Sequence, residues 1–155
     1  MRQATPMKPI HFLLVEDDDD HAQLVLRAME RTRIETSIDH VNDGTHAMHY
    51  LRREPPYESA ARPDVVLLDL KMPEMGGHDV LKNIKADPVL QSIPVVILTT
   101  SAAESDRASA YSHHANSYLV KPLDFDCFQD MIEDLSLYWA IWNQRPPATT
   151  RIDAA

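Results

Sequence analysis

A chain of 155 residues suits one domain, large enough to bury roughly 70% of its unfolded surface without a covalent staple. Its 24 acidic residues against 15 basic ones leave a net charge of -9, which argues against a nucleic-acid backbone or an anionic membrane as partner and favours a basic or apolar protein surface. Cys127 is the only cysteine, so an internal disulfide and a CxxC site are excluded; with no signal-peptide core and no apolar stretch of about 18 residues, a cytoplasmic protein is expected.

The first apolar run is IHFLLV at 10–15, followed at once by five acidic residues, Glu16 to Asp20. Leu24, Val25, Ala28 and Met29 then recur as the stripe of a helix. A weaker strand, TSIDHV at 36–41, precedes a second helix carrying Ala47, Met48 and Leu51, entered through Asn42, Asp43 and Gly44 and stopped by Pro55 and Pro56. Residues 53–63 form an irregular connection to DVVLLDL at 64–70. Val80, Leu81 and Ile84 mark a third helix ending at Asp87 and Pro88, before PVVILTT at 94–100. An alanine-rich helix with weak packing is expected over 102–114, then a strand NSYLV at 116–120. The last helix is the strongest: Asp124 stands as N-cap, and Phe128, Met131, Ile132, Leu135, Trp139 and Trp142 recur at helical spacing.

The strands are nearly continuous in Val, Ile and Leu, the pattern of parallel strands covered on both faces. Five of them alternating with five helices predict a doubly wound α/β domain over residues 8–142 with an extended C-terminal helix, and a disordered tail over 143–155.

In such a sheet, ligands sit at the carboxyl ends of the strands. The first strand there ends in Glu16 and Asp17, the third in Asp69, the fourth in Thr99 and Thr100, and the fifth in Lys121. Carboxylates that would repel one another become favourable around Mg²⁺, while a threonine hydroxyl and a lysine ammonium suit phosphate oxygens. Asp69 is left as a candidate nucleophile.

VED at 15–17, LLDLKMPEMGG at 67–77, ILTTSA at 97–102 and YLVKP at 118–122 together resemble the receiver domain of bacterial two-component response regulators. The resemblance covers residues 10–137. In that family a Thr or Ser follows the phosphorylated aspartate by about 30 residues and a Lys by about 52; here 99 − 69 = 30 and 121 − 69 = 52.

The resemblance implies a flavodoxin-like five-stranded parallel sheet in the order 2-1-3-4-5. It implies that Asp69 takes a phosphoryl group from the phosphohistidine of a sensor kinase. Asp17 and Asp69 would bind Mg²⁺ directly, Glu16 through water, and Lys71 through its main-chain carbonyl. Lys121 would pair with the phosphoryl group, and Thr99 and Tyr118 would form the switch that alters the face of the fourth helix, fifth strand and fifth helix. Such a protein catalyses only its own phosphorylation and dephosphorylation. Three positions depart from the usual pattern: Glu16 where many receivers have Asp, a bulkier Thr100 beside the switch threonine, and Lys71 two residues after the phosphoacceptor; the last two are expected to alter the lifetime of the phosphoryl group.

Plainer readings account for the other conspicuous residues. An EF-hand starting at Asp17 fails because Ala22 and Ala28 stand where Gly and Glu are required, so Asp18 to Asp20 are expected to cap and solvate the first helix. The eight histidines lack ligand clusters in sequence and read as surface residues, and Cys127 reads as structural. Tyr138, Trp139 and Trp142 lie beyond the usual end of a receiver's last helix and read as a self-association surface.

The expected protein is a stand-alone receiver that signals through protein contacts. It is expected to form a homodimer through its fourth helix, fifth strand and fifth helix. It also resembles the small receivers that partner phytochrome-type histidine kinases. The alternatives are a monomeric chemotaxis-type or phosphorelay receiver and a phosphorylation-independent interaction module.

Overall fold

The computed structural model describes residues 9–146. Its strands are β1 (Ile10–Val15), β2 (Thr36–Val41), β3 (Val65–Leu68), β4 (Val95–Thr99) and β5 (Ser117–Val120). The helices α1 (Asp19–Glu30), α2 (Gly44–Leu51), α3 (Gly77–Ala86), α4 (Glu104–Ser112) and α5 (Phe125–Leu137) alternate with them. All four strand pairings are parallel and the order is β2-β1-β3-β4-β5, as expected. The expected tail lies outside the described residues from residue 147 onward, as does residue 8.

Successive strand residues face opposite sides of the sheet, and this divides the core in two. Leu13 and Val15 of β1 point into a cluster with Met48, Leu51, Val80, Leu81 and Ile84 of α2 and α3. Ile10, Phe12 and Leu14 point the other way, against Val25, Ala28 and Met29 of α1 and Phe128, Ile132 and Leu135 of α5. The edge strand β2 is half-exposed along its length, which explains its weaker apolar signal. α4 buries only Ala110, so its packing is as thin as its sequence implies.

Short polar residues start three of the helices. Asp18 accepts from the backbone N–H of Asp20 and His21, Asp43 from that of His46, and Asp124 from that of Asp126. Asp18 to Asp20 therefore do cap and solvate the first turn of α1. Gly77, the first residue of α3, has a different role. A Cβ there would lie 2.1 Å from the Asp69 carbonyl oxygen, so only glycine lets α3 start directly against the chain leaving β3.

Four expectations need correction. Leu24 is exposed, and Ala22 takes its place in the buried stripe of α1. Cys127 is exposed rather than structural, and the Asp124 carboxylate beside its thiol pushes it up, away from reactivity. The histidines are not all solvated: the His11 ring bridges Ser37 Oγ at 2.7 Å and Tyr50 Oη at 2.8 Å, and Tyr50 donates in turn to Asp39 at 2.6 Å.

The fourth correction concerns the C-terminal aromatics. Beyond α5 the chain continues as a π-helical turn, Tyr138–Trp142, in which Asn143 N–H donates to the Tyr138 carbonyl five residues back. Trp139 continues the buried stripe of Phe128, Ile132 and Leu135 into the α1/α5 core, 7% exposed, while Tyr138 and Trp142 remain 52% and 70% exposed. Trp139 is a core residue, and the exposed apolar end consists of Leu137, Tyr138, Ile141 and Trp142.

Candidate functional site

Strand register brings the functional residues to one edge. Val15 pairs with Leu68, so Glu16 and Asp69 leave neighbouring strands at the same level. Thr99 pairs with Val120, placing Lys121 one step beyond that threonine's level, where its N–H donates to the Thr99 carbonyl at 2.7 Å. The backbone turns out of the sheet under hydrogen bonds from Glu16 N–H to Val41 and from Asp69 N–H to Val15.

The side chains converge as the sequence predicts. One carboxylate oxygen from each of Glu16, Asp17 and Asp69 lies within 4.8 Å of the others. Lys121 Nζ donates to Glu16 Oε1 and lies 3.7 Å from Asp69 Oδ2. Glu16, Asp69, Thr99 and Lys121 are buried, Asp17 is half-buried, and Lys71 points its side chain to solvent while its N–H approaches Asp69 Oδ1 at 3.4 Å.

This arrangement fits a hard divalent cation. Two ionised carboxylates at such a separation repel by about 3 kcal/mol at an effective dielectric near 20. Burial, helped by the hydrogen bond that a protonated Glu16 donates to neighbouring Asp69, pushes Glu16 up to about 8 against the pull of Lys121. A cation held by oxygen ligands would relieve both costs, and Mg²⁺ takes one or two carboxylates while keeping several waters.

Thr99 and Tyr118, the expected switch pair, are linked through Ser101. Thr99 Oγ1 accepts from Ser101 N–H at 3.2 Å, and Tyr118 Oη donates to the Ser101 carbonyl at 3.0 Å. Thr100, by contrast, is exposed and lines a cavity of about 360 Å³ beside the site with His21, Leu24, Lys121, Leu123 and Phe125. Of the C-terminal aromatics, none reaches this edge.

Two features escaped the sequence reading. His21 Nδ1 lies 3.2 Å from Lys121 Nζ, a contact across 100 positions of chain. Ser101 Oγ donates to Asp106 of α4, whose other oxygen lies 3.4 Å from His78 Nε2 on α3. The available signals were slight: His21 follows the acidic run by one residue, and Asp106 falls in the first turn of α4.

Residues 12–133 match the response regulator receiver domain. The probable methanogenesis regulatory protein FilR2 of Methanothrix harundinacea is 45% identical over 140 residues, spanning 89% of this chain and 88% of its own. The response regulator Rcp1 of Synechocystis is 36% identical over 88% of this chain and 92% of its own. A phosphorylated cyanobacterial phytochrome response regulator, RcpA, superposes with a TM-score of 0.85 at 35% identity, covering 90% of this chain and all (100%) of its own. The Mn²⁺-bound form of Rcp1 gives a TM-score of 0.83 at 35% identity over 90% of this chain and 100% of its own. The family match reaches all five strands of the sheet, whose order is the one the family resemblance implied, and the chain belongs to the response regulator receiver domain family of two-component signalling.

Proposed function

We propose that Asp69 accepts a phosphoryl group from a sensor histidine kinase and that the phosphorylated chain signals through altered protein contacts. The observation that carries this reading is the cluster of Glu16, Asp17 and Asp69 with the Lys121 ammonium 3.7 Å from Asp69. An Asp69 carboxylate oxygen attacks phosphorus, the new O–P bond forms as the P–N bond to the donor imidazole breaks, and the imidazole leaves with the bond's electron pair.

Asp17, Asp69, Glu16 and the Lys71 carbonyl are the groups that would hold Mg²⁺, which supplies charge neutralisation at the transferring phosphoryl group. Lys121 neutralises a phosphoryl oxygen, and Thr99 donates its hydroxyl to another, so that catalysis consists mainly of positioning and electrostatics. Drawing Thr99 inward would shift Ser101, its neighbour in hydrogen bonding, and with it the Tyr118 hydroxyl. The response would pass to the surface of α4, β5 and α5.

The likeness to RcpA, a phytochrome response regulator, supports a phytochrome-type kinase as donor. The exposed Leu137, Tyr138, Ile141 and Trp142 support a homodimer through α4, β5 and α5. Among the described residues no helix is long and apolar enough to cross a membrane.

Phosphotransfer from a panel of histidine kinases, phytochrome-type kinases included, tests the reading. Label is expected on the wild type with Mg²⁺ and lost in Asp69→Asn. Undiminished labelling of that variant would remove Asp69 as the nucleophile.

A further inference from the structure

His21 is not one of the groups that would hold the cation or the phosphoryl group, yet its Nδ1 touches the lysine that must meet the phosphoryl oxygen and lies 3.8 Å from Glu16 Oε1. The Lys121 ammonium has three donors and no acceptor. One goes to Glu16 Oε1 and a second to His21 Nδ1 at 3.2 Å, while Asp69 Oδ2, at 3.7 Å, is within ion-pair range only. Since an ammonium can only donate, Nδ1 is the acceptor and the imidazole proton lies on Nε2.

The two partners differ in what else is asked of them. Glu16 is also one of the carboxylates suited to a divalent cation, and a cation drawing on its charge weakens its hold on Lys121. His21 is outside the carboxylate cluster. Its place in the first turn of α1 is fixed independently, because its own N–H is capped by Asp18 Oδ1 at 3.1 Å.

We propose that His21 is a positioning residue for phosphoryl binding: it holds the Lys121 ammonium at the mouth of the site while the cation takes up Glu16, leaving the third donor free for the phosphoryl oxygen. This rests on Asp69 being the phosphoacceptor. It also accounts for the imidazole set beside Lys121 and Thr100 in the wall of a cavity whose remaining lining, Leu24, Pro122, Leu123, Phe125 and Phe128, is apolar.

The test uses the full chain, saturating Mg²⁺ and beryllofluoride as a phosphoryl analogue, with affinity measured by calorimetry. His21→Leu is expected to weaken beryllofluoride by about tenfold, the worth of one hydrogen bond to a charged group, whereas His21→Asn, whose Oδ1 replaces Nδ1, loses less than about threefold. In a Lys121→Met background His21→Leu should change nothing further, since its effect passes through the lysine. Mg²⁺ affinity without beryllofluoride should be the same in wild type and His21→Leu. Unaltered beryllofluoride affinity in His21→Leu, equal losses with and without Lys121, or a parallel loss of Mg²⁺ affinity would each overturn the proposal. Beryllofluoride binding that survives Asp69→Asn would instead overturn the phosphoacceptor assignment, and this proposal with it.

Discussion

Ser101 Oγ donates to Asp106 Oδ2 across 2.5 Å, joining the loop after β4 to the first turn of α4. The same Ser101 gives its N–H to Thr99 and its carbonyl to Tyr118. One residue thus connects the strand-end threonine, the β5 tyrosine and the helix whose packing is thinnest. His78 adds a weaker tie from Asp106 to α3.

The Ser101 hydroxyl, then the His78 ring, holds the Asp106 carboxyl below its ordinary range. A depressed aspartate stabilises the fold fully above its unfolded value of about 3.9, and that stabilisation fades as pH falls through the lower folded value. Asp106→Asn should therefore lower the melting temperature near neutral pH, by the equivalent of about 1 kcal/mol. The gap between variant and wild type should close under acid. A gap that persists there would show that the carboxylate's charge contributes nothing.

Gly77 offers a test of how tightly the site is tied to the fold. Its Cα is pressed against the Asp69 carbonyl and Leu70 Cα, where a Cβ would lie 2.1 Å and 2.6 Å away. Backbone cannot yield as a long side chain does, so Gly77→Ala should cost about 1–3 kcal/mol in urea denaturation. It should also slow phosphorylation of Asp69, because the clash is with that residue's own peptide. Unchanged stability would mean that α3 slides at little cost.

Much of this was legible in the sequence because the site lies where apolar runs end. Glu16, Asp69, Thr99 and Lys121 each stand at or just after the end of a strand whose Val, Ile and Leu content announces it. What stayed hidden depends on contacts between distant segments. Nothing local to His21 reveals that Lys121, 100 positions away, will reach it. Likewise the Ser101, Asp106 and His78 chain joins three segments whose separate residues are unremarkable. Trp139 and Trp142 share one stripe in α-helical periodicity, but Trp139 keeps to the buried stripe of α5 while Trp142, at the far end of the wider π-helical turn, lies in solvent.

Mg²⁺ should stabilise the protein by mass action if it binds the folded cluster alone. At ten times its Kd the gain is about 1.4 kcal/mol, which a chelator should abolish. Asp17→Asn should remove most of this Mg²⁺-dependent shift in melting temperature, because Asp17 is the least buried carboxylate of the cluster and remains open to an arriving ion. A shift of equal size in Asp17→Asn would place the ion elsewhere.

The C-terminal aromatics should separate into two classes. Trp139 packs in the core formed with α1 and the rest of α5, so Trp139→Ala should lower stability by about 3–5 kcal/mol. Trp142 is 70% exposed, and its replacement by Ala should leave the stability of an isolated protomer within about 0.5 kcal/mol of wild type. If the exposed end meets a second copy, Trp142→Ala together with Tyr138→Ala should shift the monomer–dimer equilibrium toward monomer in sedimentation or light scattering. The two measurements have to be made together, because a destabilised protomer would also dissociate. Loss of the dimer without loss of protomer stability would assign these rings to the interface, whereas a protein that is monomeric before substitution would remove the homodimer altogether.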